Sequence, residues 1–246
     1  MVRRNKKYSL FLLGLFIILF GVSIFIGNKD QFYTGSHLVL GLSENSEIVD
    51  INKVEKKNIV LELREKYQND DIVGNVSILG TNINEPVLKY SNNDYYLHHD
   101  NYGNYEINGS IFLDYRINPS DRKVLIFGHS SIYDDIPFNE LEKYYNYDFY
   151  KEHKYITLST EGEEYKYEIF SVYVETSDFT YMNLKIDEAK YNSDLKKYKN
   201  NSIYDTGVKI SDNDEVIILQ TCSNDNKYQG RKKYLLVIGK KIFKEG

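Results

Sequence analysis

Three textures of hydrophobic and polar residues succeed one another along the chain. From Tyr8 to Gly27 no charge interrupts a run of 20 residues, and Lys29 is the first charge after it. A helix of that length covers roughly 30 Å, the hydrocarbon thickness of a bilayer. From Glu47 to about Gln68, charged residues are interleaved with spaced apolar ones, among them Ile48, Val54, Ile59, Val60, Leu61 and Leu63. That spacing predicts one or two amphipathic helices. From Ile72 onward, short apolar runs are cut by turn residues, which predicts strands over 73–79, 83–90, 109–115, 123–129, 154–160, 164–176, 214–222 and 233–241. Helical periodicity returns over 138–153 and 187–200. Many strands, few helices and no βαβ alternation predict a mainly antiparallel barrel or sandwich.

Charge gives the apolar run a direction. Arg3, Arg4, Lys6 and Lys7 precede it with no acid among the first 27 residues. Such a basic flank stays cytoplasmic and sends the following chain outside. A cleaved signal peptide would have a shorter apolar region and a small-x-small site, which "VSIFIGNKD" lacks. The expected organisation is a basic tail (1–7), a single transmembrane anchor (8–27), an extracellular linker with N-terminal helices (28–71) and a folded β-domain (72–246). The whole chain carries −5, so the part after residue 27 carries −9. An acidic domain without a basic stripe excludes nucleic acid as a partner class. No dinucleotide or phosphate-loop glycine motif occurs, and no cofactor is expected.

The composition includes one cysteine, Cys222. A lone cysteine outside the cell can be a buried inert thiol, half of an intermolecular disulfide, or a nucleophile. Its position bears on the choice. Cys222 ends the strand "EVIILQTC", where alternation puts Val216, Ile218, Gln220 and Cys222 on one face. His129 ends "KVLIFGH", and Arg231 stands just before the last strand. Cys, His and Arg form a coherent set of nucleophile, acid–base and oxyanion partner. Moving the proton from a free thiol to a free imidazole costs roughly 2.7 kcal/mol, so about 1% of such an enzyme would hold the reactive ion pair at neutral pH. His98 and His99 are adjacent and point to opposite sides, with no metal-ligand spacing. Asp225 either supports His129 or belongs only to its loop.

"LQTC" before a C-terminal strand, "FGH" at a strand end and an Arg shortly after the Cys resemble the sortases. "NDYYLHHDNYGNYEINGSIFLDYR" (93–116) and "VGNVSILGTNINEPVL" (73–88) narrow the resemblance to class B. The resemblance implies an eight-stranded β-barrel with peripheral helices, on the outer face of a Gram-positive cell membrane. It implies a transpeptidase that cleaves the sorting signal of a surface protein after Thr. Carried onto this chain, Cys222 is the nucleophile, His129 the acid–base and Arg231 the oxyanion-side residue. Substrate contacts would fall on Asn93, Leu97, Tyr181, Met182, Gln220 and Thr221. The implied partners are a surface protein with an Asn-Pro-x-Thr-like motif and an amine acceptor, either a peptidoglycan precursor or a pilin lysine. Two departures stand out. Gln220 replaces the usual small residue, and two lysines separate Arg231 from the apolar strand, so Lys233 or Tyr234 stands in its place if the strand has no bulge. A cysteine peptidase or acyl hydrolase at the same site, and a non-catalytic surface binding module, remain the rival readings.

Overall fold

The structure is a computed structural model and describes residues 58–131, 136–225, 227 and 232–242, all within one compact unit, Glu55–Gly246. The basic tail, the anchor, most of the linker and Arg231 lie outside the described residues. No helix among the described residues is long and apolar enough to cross a membrane.

The elements in chain order are α1 (Ile59–Tyr67), β1 (Ile72–Ser77), β2 (Asn84–Leu88), β3 (Phe112–Leu113), β4 (Lys123–Phe127), α2 (Tyr147–Glu152), β5 (Tyr155–Ser159), β6 (Glu164–Glu175), α3 (Glu188–Asn201), β7 (Val216–Cys222) and β8 (Tyr234–Ile242). The strands close into a barrel in the order β1-β2-β3-β4-β7-β8-β6-β5. The antiparallel expectation holds with two exceptions: β2–β3 and β4–β7 are parallel. Parallel neighbours need a long crossover, and β5, β6 and α3 all lie between β4 and β7 in the chain.

β4 is buried at every position and β7 at all but Cys222, which explains why "KVLIF" and "VIILQ" are continuous apolar runs rather than alternating ones. β8 pairs with β7 on one side and β6 on the other. The Tyr-rich insert packs as core: Tyr144 and Tyr150 are buried, with their hydroxyls donating to the His153 and Thr206 carbonyls at 2.7 and 3.2 Å.

The stretch 138–153, expected as a helix or a pair of helical turns, is a 3-10 helix (Pro137–Tyr145) followed by α2, because Asn146 between them is extended and its side chain accepts from the Asp148 amide to start α2. One expectation is corrected. The strand expected over 109–115 shrinks to β3. Gly109 sits at φ +57°, where a Cβ would fall on the Tyr96 and Leu97 carbonyls. Only glycine fits there, and the Ser110 amide then donates to Tyr96 O instead of extending the strand. That close approach anchors the 93–109 segment beside the barrel mouth.

Candidate active site

β4 and β7 run side by side, with Phe127 beside Gln220. The Gly128 amide still donates to Gln220 O at 3.1 Å. Two residues past the Phe127–Gln220 pair stand His129 and Cys222. Neighbouring strands lie about 4.8 Å apart, so the two reactive side chains leave adjacent strand ends together. Both line a cavity of about 290 Å³. Cys222 is exposed at its mouth, yet the apolar walls push the thiol pKa above its ordinary value. The resting sulfur is therefore a protonated thiol at neutral pH.

His129 Nε2 lies 3.0 Å from Leu97 O. A carbonyl can only accept, so Nε2 carries a proton and donates it there. In the neutral ring Nδ1 is then the basic nitrogen. The same imidazole borders a second cavity of about 120 Å³, beside Glu85 and Ser110.

The other residues named from the sequence divide into two groups. Asn93, Leu97, Met182 and Gln220 line the larger cavity. Tyr181 and Thr221 are each 1% exposed and lie behind that wall. Tyr181 Oη donates to Gln220 Oε1 at 2.7 Å and so orients the Gln220 amide. Thr221 alternates to the opposite face from Cys222, where its hydroxyl is buried without a partner among the described residues. Asp225 is a loop residue: its carboxylate accepts from the Lys227 amide at 2.8 Å, and the His129 ring is held by Leu97 instead. Of the two adjacent histidines, His99 is held locally, while the His98 ring lies 6.3 Å from that of His129, centroid to centroid. His99 Nδ1 donates to Tyr95 O at 2.7 Å and the ring stacks on Tyr95. Among the described residues no cluster suited to a metal ion occurs.

Sequence reasoning missed Asp114 and Arg116, which line the cavity together with Tyr234. Asp114 is fully buried and accepts from Arg116 Nε at 2.8 Å, Arg116 Nη2 at 2.7 Å and Asn93 Nδ2 at 3.1 Å. Burial alone would raise its pKa, but these hydrogen bonds outweigh it and hold the carboxyl below its ordinary value. Asn93 Oδ1 in turn accepts from the Tyr115 amide, and Arg116 Nη2 donates to Met182 O at 3.1 Å. The acid-x-Arg spacing of "DYR" was the available signal. Tyr234 is one of the two residues expected in the arginine's place if the strand has no bulge. β7 and β8 pair without a bulge from Val216/Lys240 to Cys222/Tyr234, so Tyr234 is the residue opposite Cys222. Lys233 turns away, with Nζ donating to Asp225 O at 2.7 Å.

The sequence pattern of the Sortase domain matches residues 76–241, the stretch that forms most of this barrel and carries both the thiol and the imidazole. Sortase B of Listeria monocytogenes is 34% identical over 94% of this chain and 96% of its own. The Staphylococcus aureus sortase B–substrate complex superposes with a TM-score of 0.66 at 29% identity, covering 74% of this chain and 84% of that one. Clostridium perfringens sortase B gives a TM-score of 0.66 at 30% identity, covering 74% and 99%. The chain belongs to the sortase family, in its class B, and is a sortase-type cysteine transpeptidase.

Proposed function

We propose that this protein cleaves the C-terminal sorting signal of a surface protein after Thr, holds the released chain as a thioester on Cys222, and transfers it to an amine of the cell wall or of a pilin. The observation that carries the reading is the delivery of Cys222 and His129 to one cavity by adjacent parallel strands. In this reading His129 takes the thiol proton on Nδ1 as the sulfur attacks, then returns it to the departing amine. Burial raises the thiol pKa, so the sulfur depends on that base. An imidazole open to two cavities suits a group that must serve a leaving amine and then an entering one. Arg231, between β7 and β8 in the chain, acts on the oxyanion side. Asn93, Leu97, Met182 and Gln220 contact the sorting signal, with Tyr181 setting the Gln220 amide from behind. Residues 8–27 anchor the chain in the membrane with residues 1–7 inside, and residues 28–71 carry the barrel domain, 72–246, on the outer face.

The test is direct. The full chain in detergent is incubated with a panel of sorting-type peptides, with and without triglycine, and products are followed by mass spectrometry. A thioacyl adduct and an amine-ligated product in the native protein, both lost in Cys222→Ala, are expected. Hydrolysis alone with every acceptor offered would favour a peptidase. A Cys222→Ala variant that still transfers would end the proposal.

A further inference from the structure

Tyr234 is the side chain nearest in register to the cysteine. The Ser223 amide donates to Lys233 O at 3.1 Å, which makes Ser223–Lys233 a hydrogen-bonded pair of the antiparallel ladder. Such pairs alternate with non-hydrogen-bonded ones, in which facing side chains lie closest. Cys222–Tyr234 is therefore a non-hydrogen-bonded pair, with Cβ atoms about 4.5–5.5 Å apart and both side chains on one face. Both line the larger cavity. The Tyr234 ring is held edge-on by Phe179, with centroids 5.6 Å apart at 70°. Its hydroxyl has no hydrogen-bond partner among the described residues, although it is a donor group beside a built cavity. The tyrosine is longer than the cysteine by most of a ring, so from the same face of the ladder its hydroxyl can extend farther into the cavity than the sulfur.

We propose that the Tyr234 hydroxyl is a catalytic hydrogen-bond donor to the oxyanion formed when the Cys222 sulfur adds to the scissile carbonyl. The inference rests on the transpeptidase reading of the same site. As the S–C bond forms, the carbonyl π pair moves onto oxygen, and the Tyr234 O–H donates to that oxygen while keeping its proton. On collapse the C=O bond re-forms, the C–N bond breaks, and the departing nitrogen takes its proton from His129. The thioester remains, and the acceptor amine passes through the same oxyanion in the second half. Burial and the neighbouring Cys222 push the phenol pKa up, which keeps the hydroxyl a donor. A neutral donor has one advantage over a cation at this place: it steadies the oxyanion without disfavouring the imidazolium that His129 must become.

Tyr234→Phe removes the hydroxyl and keeps the ring. The full chain in detergent, with a peptide that the native protein acylates, is followed for single-turnover acylation, KM and alkylation of Cys222 by iodoacetamide. The expected result is an acylation rate lower by about 100-fold, the scale of one lost oxyanion donor, with KM, alkylation rate and melting temperature unchanged. Acylation at the native rate overturns the role and leaves the cysteine reading intact. Joint loss of alkylation, acylation and melting temperature assigns Tyr234 to packing and overturns it as well. A full loss in Arg231→Gln with none in Tyr234→Phe gives the oxyanion to the arginine instead. A native protein whose Cys222 alkylates but which acylates with no peptide refutes the transpeptidase reading, and this inference with it.

Discussion

Replacing Asp114 with asparagine keeps the shape of the side chain and removes its charge, so it isolates one interaction. The carboxylate is fully buried and accepts from Arg116 Nε, Arg116 Nη2, the Arg116 amide at 3.0 Å and Asn93 Nδ2. An asparagine would turn an N–H donor toward one of those donors. Breaking a buried ion pair costs about 3–5 kcal/mol. Here the Arg116 side chain is 39% exposed, so water rehydrates the freed guanidinium and the cost falls to about 2 kcal/mol. For a domain of this size that lowers the melting temperature by about 4–8 °C. Asn93 and Arg116 both line the cavity, so the variant should also raise KM for a sorting peptide. The assay is thermal unfolding of the native protein, Asp114→Asn, Arg116→Gln and the double variant. A coupling of about 1–2 kcal/mol closes the cycle if the pair acts as described. The pH dependence has a definite sign. The folded pKa is depressed, so this stability is present above the unfolded value of about 4 and is lost as pH falls through the folded value. The gap between native and variant therefore narrows in acid. Melting temperatures that coincide at neutral pH, or a cycle that is simply additive, would refute the reasoning.

Two further predictions concern the frame around the site. In Gly128→Ala the new Cβ would stand 2.7 Å from Phe138 Cγ, deep in a ring that cannot swing away. Overpacking of this kind costs about 1–3 kcal/mol, and because Gly128 precedes His129 the variant should lose acylation rate more than alkylation of Cys222; full retention of rate would show the ring yields. Lys123 is 6% exposed, and its pKa is lowered to about 8, chiefly by burial. Between about pH 8 and 10 the unfolded chain binds a proton that the folded chain has released, so folding stability rises with pH there, by up to about 3 kcal/mol. Above that window the buried tyrosines Tyr96, Tyr167 and Tyr198, whose pKa burial raises, reverse the slope. Urea unfolding of the native protein and Lys123→Met across pH 7–9.5 checks it: the native curve rises and the variant stays flat.

Most of the barrel was legible in the sequence because each strand has its own local signature. Runs such as "KVLIF" and "VIILQTC" can be buried only one way, and their bounds in the structure differ from the expected ones by a few residues. Cys222 and His129 were legible for a related reason: a reactive side chain at the end of a rigid apolar strand is a local pattern with few uses. The shortened β3 was not legible, since it depends on where backbone donors find partners. What the sequence by itself determined was the identity of the strands, the alternation that sets Gln220 and Cys222 on one face, and the family. Only the tertiary structure decided which strands are neighbours. That closure of the barrel brings β4 beside β7 and β8 opposite it, retires Tyr181 and Thr221 behind the wall, ties Arg116 to Asp114 at the rim, and sets Tyr234 across from the sulfur. Register between strands far apart in the chain is fixed by pairing and packing, and a one-residue slip would have put a different side chain there.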